Sequence, residues 1–166
     1  MVDPIEYVSN KIAVKVKEAD PENTDDVDQI RYGVALDIGF YSVIVLTVAI
    51  GLITKELWGT LIGMLAFYYL RRFTGGFHFS SLFVCTIVSV AILSIIPHVH
   101  LNEFTVVMMT FTCIPLIIFF SDKDIKTKVI ASLIVLINFV FISPAASLAF
   151  FAQSLTLIKL RGWRQP

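Results

Sequence analysis

The sequence predicts an all-α, polytopic membrane protein with about six transmembrane helices and an N-terminal amphipathic helix. Of its 166 residues, 57% are hydrophobic and 16% are charged, whereas soluble domains have about 25% charged residues. The charges are also segregated, because the stretches 79–97 and 104–120 contain none. About 18 such residues can cross a bilayer, and lipid, which offers the backbone no hydrogen-bond partner, forces them to be helical. A soluble globular fold is therefore not expected.

The N-terminal segment, from Pro4 to Ala19, is amphipathic. Lysines lie on much of its predicted helical surface, and the apolar residues near one face are Ile5, Val8, Ile12 and Val16. This pattern predicts a helix that lies on the membrane, and a soluble leader helix is the alternative. An acidic, exposed turn is expected at residues 20–30, with the sequence DPENTDDVDQI. Residues 1–33 do not have the form of a signal peptide, so the first membrane helix is expected to direct insertion.

Six apolar segments follow and define the predicted bundle. They span residues 34–54, 57–70, 79–96, 104–120, 129–142 and 145–158. Three are short for a crossing, and they can be lengthened by continued helix or by basic side chains that reach the interface. Four crossings with one re-entrant hairpin form the alternative. Residues 1–166 are predicted to form a single membrane domain, in which an N-terminal segment at 1–33 precedes the transmembrane bundle at 34–160.

The positive charges predict the orientation of the bundle. Both termini are placed in the cytoplasm, and the basic residues of the inner connections and the tail are then Arg71, Arg72, Lys123, Lys126, Lys128, Lys159, Arg161 and Arg164. The outer connections carry only Lys55. Such an excess of inner positive charge is what the positive-inside rule requires. The connection at residues 71–78 is therefore expected on the cytoplasmic side.

Composition also restricts the functions to consider. The formal net charge is zero, so the chain has no basic field to attract nucleic acid. Cys85 and Cys113 each lie in an apolar run and are interpreted as free thiols rather than disulfide partners. His98 and His100 resemble a metal pair, but the topology places them across the bilayer from Cys85, and they are interpreted as loop residues. No metal or cofactor is predicted.

The most informative stretch runs from Tyr69 to Cys85 and reads YLRRFTGGFHFSSLFVC. Gly75 and Gly76 break the helix there and allow the backbone to turn or to approach another group closely. His78 follows the break, and Cys85 comes seven residues later on the next helix. Two helical turns bring both side chains to nearly the same face, which is the direction required of a nucleophile and its base.

Distance decides whether this pair can react. Seven residues of straight helix separate two Cα atoms by about 10.5 Å, whereas a base must come within about 3.5 Å of the sulfur. If the glycines place His78 in a turn before a helix that starts near Ser80, the imidazole can fold back toward Cys85, and an imidazolium there would stabilise the thiolate. The alternative is a cysteine that only packs in an apolar helix and a histidine that only lies at the membrane boundary.

This stretch resembles the signature of the accessory gene regulator B (AgrB) family, bacterial membrane cysteine endopeptidases that process quorum-sensing peptide precursors. The resemblance is carried by the paired arginines, the glycine turn, His78, the two serines and Cys85. The six apolar segments, the amphipathic start, the length of the chain and Gln153 in the last segment agree with it. Two features depart from the family, since Ser80 stands where relatives often have proline and the loop at residues 121–128 is shorter and less basic.

The resemblance implies that Cys85 is the nucleophile and His78 the general base. Substrate-binding roles are implied for Arg71, Arg72, Gly75 and Gly76, although the arginines could instead anchor the chain at the cytoplasmic interface. The implied reaction cleaves the C-terminal tail from an autoinducer precursor through a thioester acyl-enzyme, which permits ring closure to a thiolactone or lactone.

The partners implied by the resemblance are membrane lipid and a short precursor peptide with an amphipathic N-terminal helix, and homodimer formation is left open. The implied location is the bacterial cell membrane. The alternative function is a non-catalytic small transporter or scaffold with a glycine-hinged helix. Three further polar residues lie in or beside apolar segments, where an unpaired polar group is costly, and any of them could orient His78: Asp37, Asn138 and Gln153.

Overall fold

The computed structural model describes residues 3–76 and 81–158, and it is all-helical within them. The helices are, in chain order, α1 Pro4–Ala19, α2 Val27–Ile53, α3 Leu57–Thr74, α4 Leu82–Ile95, a 3-10 helix at Ile96–His98, α5 Glu103–Phe120, α6 Ile125–Phe141 and α7 Pro144–Leu155. No strand occurs among these residues. The predicted all-α class is therefore confirmed for the described part of the chain.

The six apolar segments of the sequence correspond to helices α2 to α7. Two of these helices, α2 and α5, are long and apolar enough to cross a membrane, by length and composition alone. Most of their residues are left uncovered by the rest of the protein, which suits helices that are apolar all round and lie in lipid. Helix α4 with the following 3-10 helix is apolar but shorter. Six crossings therefore stay a prediction.

Helix α1 begins and ends where the sequence predicts. Asp3 caps its first turn, because the carboxylate accepts hydrogen bonds from the amides of Ile5 (2.8 Å) and Glu6 (3.4 Å). Pro4 occupies the first helical position, where no amide donor is needed. These local signals explain why the start of α1 can be predicted from the sequence.

The side chains of α1 divide into a packed face and an apolar exposed face. The packed residues are Ile5, Ser9 and Ala13. Three of the four residues predicted on the apolar face are exposed, namely Val8, Ile12 and Val16. Ile5 and two small residues of α1 thus pack inside the protein, and the other three residues of the predicted apolar face remain exposed.

Helix α2 begins earlier than the sequence suggests. It starts at Val27, so residues 27–30 of the expected acidic turn are helical. Asp28 lies in the first turn, where the helix dipole favours a negative charge, and it forms an ion pair with Arg31 at 3.1 Å. Residues 20–26 thus form the mostly exposed turn that the sequence predicts, whereas Asp28 stabilises the first turn of α2.

The described residues group into two compact units. The first comprises the described parts of Met1–Leu46 and His78–Val90, and it holds α1 with most of α2 and α4. The second comprises the described parts of Thr47–Phe77 and Ala91–Pro166. Within the second unit, α7 packs against α3, α5, α6 and the 3-10 helix. The buried core of this unit consists of Leu70, Cys113, Ile117, Ala131, Val135, Ala146, Phe150 and Leu157.

A buried polar cluster joins α5, α6 and the start of α7. The Asn138 amide donates to Thr110 Oγ1 (3.0 Å) and to the Ser143 carbonyl (3.3 Å), and it accepts from the Ser143 amide (3.1 Å). The hydroxyls of Thr110 and Ser147 both donate to the carbonyl of Val106. Because these polar groups all have partners, the cluster fixes the packing of three helices without an unsatisfied group.

Candidate active site

Helix α3 ends in a turn made by the glycine pair of the motif. Thr74 is its last residue, and the Gly75 amide donates to the Arg71 carbonyl at 2.9 Å. Gly75 has a φ of 71° and Gly76 a φ of 133°, values that residues with a side chain rarely adopt. The predicted helix break is therefore confirmed, and it requires glycine at both positions.

Gln153, on α7, holds this end of α3. Its side chain is fully buried, and its Nε2 donates to the Gly75 carbonyl (2.5 Å) and to Thr74 Oγ1 (3.3 Å). Its Oε1 accepts from Arg71 Nη1 at 3.4 Å. A β-carbon at Gly76 would lie 3.0 Å from the same Nε2. One amide therefore contacts the last turn of α3 and both glycines.

The loop between α5 and α6 contacts the same end of α3. Ser121 is buried, and its Oγ donates to the Thr74 carbonyl at 3.1 Å. Lys123 is exposed, and its Cε lies 3.5 Å from the place that a β-carbon of Gly75 would take. The carbonyls of Thr74 and Gly75 thus receive donors from two different parts of the second unit.

The two arginines of the motif have different surroundings. Arg71 is partly buried, and its guanidinium carbon lies 5.7 Å from the centroid of the Phe67 ring, within reach of a cation–π contact. Arg72 is exposed. The structure therefore connects Arg71 to the glycine turn through Gln153 and leaves Arg72 at the surface.

The start of α4, which carries Cys85, is held by two side chains of the first unit. Ser81 Oγ accepts from the Val84 amide at 3.2 Å and donates to Asp3 Oδ2 at 2.6 Å. The same carboxylate oxygen accepts from the Phe83 amide at 3.1 Å. Asp3 thus accepts hydrogen bonds at the start of both α1 and α4, where helices have unpaired amides.

The charge of Asp3 follows from these contacts. Burial raises the pKa of its carboxyl, but hydrogen bonds from Ser81, Phe83, Ile5 and Glu6 outweigh burial and hold the pKa below the usual 3.8. The carboxylate is therefore charged at neutral pH, as the positive ends of two helix dipoles favour. The sequence signals Asp3 only as the cap of α1, and nothing local indicates its bond to Ser81.

Cys85 is the fourth residue of α4 and is partly exposed. Its amide donates to the Ser81 carbonyl at 3.1 Å, so its backbone belongs to the turn that Ser81 and Asp3 hold. His78, the predicted base, lies outside the described residues. The pairing of His78 with Cys85 therefore stays a prediction.

Cys113 has a different environment. Its side chain is fully buried in the core of the second unit, and its Sγ donates to the Met109 carbonyl at 3.2 Å. Both cysteines are free thiols, as the sequence predicts. Cys113 is a packing residue of α5.

The remaining polar candidates have surroundings of their own. Asn138 belongs to the cluster with Thr110 and Ser143, and Asp37 is exposed on α2. His98 ends the 3-10 helix. Within residues 3–76 and 81–158, no group of three His, Cys, Asp or Glu side chains is placed to hold a metal ion.

Comparison with known proteins gives a match along most of the chain. The family model for accessory gene regulator B matches residues 9–159. A protein of Halalkalibacterium halodurans described as AgrB-like is 30% identical over 92 residues, which are 55% of this chain and 47% of that protein. The match therefore spans about half the length of this relative. No solved structure matches the chain.

Proposed function

This chain belongs to the accessory gene regulator B family, and from that premise we propose that it is a membrane-embedded cysteine endopeptidase. Its substrate is the precursor of a quorum-sensing peptide, from which it removes the C-terminal tail. Family membership supports the processing role, and the apolar helices α2 and α5 support a place in the membrane. The observation that carries the catalytic part is Cys85 itself, partly exposed in the first turns of a capped helix and seven residues after His78.

In this proposal Cys85 is the nucleophile and His78 its base. The imidazole takes the thiol proton, and the thiolate attacks a carbonyl carbon of the precursor to form a tetrahedral intermediate. The peptide bond then breaks, and the imidazolium gives the proton to the leaving amine. The precursor is left as a thioester on Cys85, and its C-terminal tail is released.

A nucleophile within the bound precursor resolves this thioester. Its thiol or hydroxyl attacks the acyl carbon, a thiolactone or lactone ring forms, and the Cys85 thiol is regenerated with a proton that His78 transfers. Attack by water would give a linear acid instead. A partly dehydrated site therefore favours ring closure, and the partial burial of Cys85 suits that requirement.

Substrate binding is proposed for the end of α3. Arg72 and Lys123 are exposed cations that can bind carboxylates of a precursor tail. Gly75 and Gly76 lack side chains, so a peptide can approach their backbone closely. The charge distribution of the connections supports a cytoplasmic position for this end of α3 and for both termini.

Coexpression with a short precursor peptide that has an amphipathic start and an acidic tail, sought in the open reading frame next to this gene, tests the proposal. The wild-type protein should shorten a tagged precursor, whereas Cys85→Ala and His78→Ala should each lower the rate by about 10³-fold or more, because the nucleophile or its base is lost. Cys113→Ala is the matched control, and it should retain nearly the full rate. Cleavage that survives in Cys85→Ala would end the protease proposal and favour a transporter or scaffold.

The reactivity of the two thiols tests the dyad without a substrate. In single-cysteine variants in one detergent, iodoacetamide should label Cys85 faster than Cys113 from about pH 5 to pH 9. Access alone could cause that difference, so the decisive variant is His78→Ala, which should slow the labelling of Cys85 and leave Cys113 unchanged. A pH profile of Cys85 labelling that does not respond to His78→Ala contradicts a dyad formed in the resting protein.

A further inference from the structure

Gln153 is a fully buried amide that follows three apolar residues of α7. Phe150, Phe151 and Ala152 precede it on α7. An amide that leaves water is destabilising unless all of its hydrogen bonds are replaced. Here both ends of the amide have partners, since Nε2 donates to Gly75 and Thr74 and Oε1 accepts from Arg71. Those partners all lie at the end of α3.

The bond from Gln153 to the Gly75 carbonyl fixes a peptide plane. The atoms of the peptide between Gly75 and Gly76 are coplanar, so an anchored oxygen sets the direction in which the chain leaves α3. Two adjacent glycines would otherwise give the backbone its greatest freedom at this point. The amide restricts the backbone between the two glycines, and His78 follows Gly76 by two residues in the sequence.

Two further contacts restrain the end of α3. Ser121 donates to the Thr74 carbonyl at 3.1 Å, next to the carbonyl that Gln153 holds. The Arg71 guanidinium contacts the same Gln153 side chain, so the amide sets the position of an arginine of the motif as well as that of the glycine turn. A planar amide that bonds at both ends can do so in only one orientation.

We propose that Gln153 is a positioning residue of the catalytic motif. This inference rests on the proposed function, and it gives Gln153 no contact with the substrate. The amide holds the Gly75 carbonyl and the Arg71 guanidinium in one arrangement, and this arrangement sets the geometry from which the chain continues to His78. Loss of the amide therefore slows the chemical step, because small displacements of a catalytic group reduce rates strongly.

Asn138 provides a matched control. It is also a buried amide with hydrogen bonds at both ends, but its partners are Thr110 and Ser143. Ser143 precedes Gln153 by ten residues, which is about 15 Å along a helix. Gln153→Met and Asn138→Leu each replace a buried amide by an apolar side chain of similar size, so the two variants should lose similar amounts of stability.

The experiment compares these two variants with the wild type in the same detergent. The substrate is the precursor peptide of the coexpression test, and rates are expressed per folded protein isolated by size exclusion. Gln153→Met should lower kcat by about 10²-fold, and KM should change by much less. Asn138→Leu should leave both values near those of the wild type. Hydrogen–deuterium exchange at residues 71–76 should rise in Gln153→Met and not in Asn138→Leu.

The outcomes separate this inference from the proposed function. A wild-type kcat in Gln153→Met overturns the inference, as does a loss shared equally by Asn138→Leu or confined to KM. If Gln153→Met does not fold, Gln153→Glu replaces it, because Glu keeps the acceptor for Arg71 and loses both donors, and the same fall in kcat is expected. Failure of the wild-type protein to cleave the precursor defeats the proposed function, and the inference fails with it.

Discussion

The stretch from Tyr69 to Cys85 contains two helix ends that are held by different chemistry. At the end of α3 the donors are neutral, the Gln153 amide and the Ser121 hydroxyl, and both are buried. At the start of α4 the acceptor is the charged carboxylate of Asp3, which is partly exposed. The first arrangement depends on volume and backbone conformation, and the second depends on charge.

The difference follows from the polarity of helix ends. A helix C-terminus has unpaired carbonyls and needs donors, whereas an N-terminus has unpaired amides and needs acceptors. A neutral amide can be buried once it is hydrogen-bonded, and a carboxylate near the surface gains from the helix dipole without a large desolvation penalty. Steric changes should therefore disrupt the end of α3, and changes of charge should disrupt the start of α4.

Gly76→Ala should have the largest effect of the substitutions that test this comparison. The β-carbon would lie 2.5 Å from Thr156 Oγ1 and 3.0 Å from Gln153 Nε2, and the φ of 133° is unfavourable for alanine. The turn must shift, so we expect precursor cleavage to fall by about 10²-fold or more. Cleavage assays measure the loss of activity, and thermal unfolding in detergent measures the effect of the shifted turn on stability.

Gly33→Ala is the matched control. Gly33 lies in α2, and nothing is within 4 Å of the place its β-carbon would take. Alanine is favoured over glycine in a helix by about 1 kcal/mol, so stability should be unchanged or slightly raised. If Gly76→Ala proved as active and as stable as Gly33→Ala, the end of α3 would not be rigidly held.

The helices are largely predictable from the sequence because their signals are local. Asp3 and Pro4 mark the start of α1, Gly75 marks the end of α3, and runs of apolar residues mark the remaining helices. The acidic residues of the segment 20–30 predict an exposed turn, which residues 20–26 form, yet Asp28 lies in the first turn of α2 and stabilises it. Local composition does not distinguish an acidic residue of the turn from one at the start of the helix.

The partners of polar side chains are not predictable in this way. Asp3 and Ser81 are 78 positions apart in the sequence, and so are Gly75 and Gln153. Periodicity reports which face of a helix is apolar, and it does not report which helix lies opposite. The sequence therefore identifies Gln153 as a costly polar residue, and only the packing of α7 against α3 shows what it contacts.

Asp3→Ala should have a smaller effect, on stability. The substitution removes the cap of α1 and the acceptor for Ser81 and Phe83 at the start of α4. Loss of a capping carboxylate costs about 0.5–2 kcal/mol, and we expect the free energy of unfolding in mixed micelles to fall within that range. Asp3→Asn keeps an oxygen for α1 but turns a donor toward Ser81 or Phe83, so it should weaken mainly the start of α4.

Asp124→Ala is the comparison for Asp3→Ala. Asp124 caps α6 through Thr127 and accepts at the start of this one helix. Asp124→Ala should therefore lower the free energy of unfolding by less than Asp3→Ala does. Equal losses in the two variants would indicate that the bonds from Ser81 and Phe83 to Asp3 contribute nothing.

The smallest expected effect is the pH dependence of the Asp3 contribution. Burial raises the pKa of Asp3, but the hydrogen bonds lower it by more, so the pKa in the folded protein lies below 3.8. Because the folded state binds the proton less tightly than the unfolded chain, the carboxylate contributes fully above the unfolded pKa and loses its contribution as the pH falls through the folded pKa.

The difference in unfolding free energy between the wild type and Asp3→Asn should therefore stay constant from about pH 7 to pH 5 and shrink below pH 3.8. Other carboxylates titrate in both proteins and cancel from the difference, including Asp124, whose pKa the Thr127 hydroxyl lowers. A difference that stayed constant down to about pH 2 would contradict a charged acceptor shared by α1 and α4.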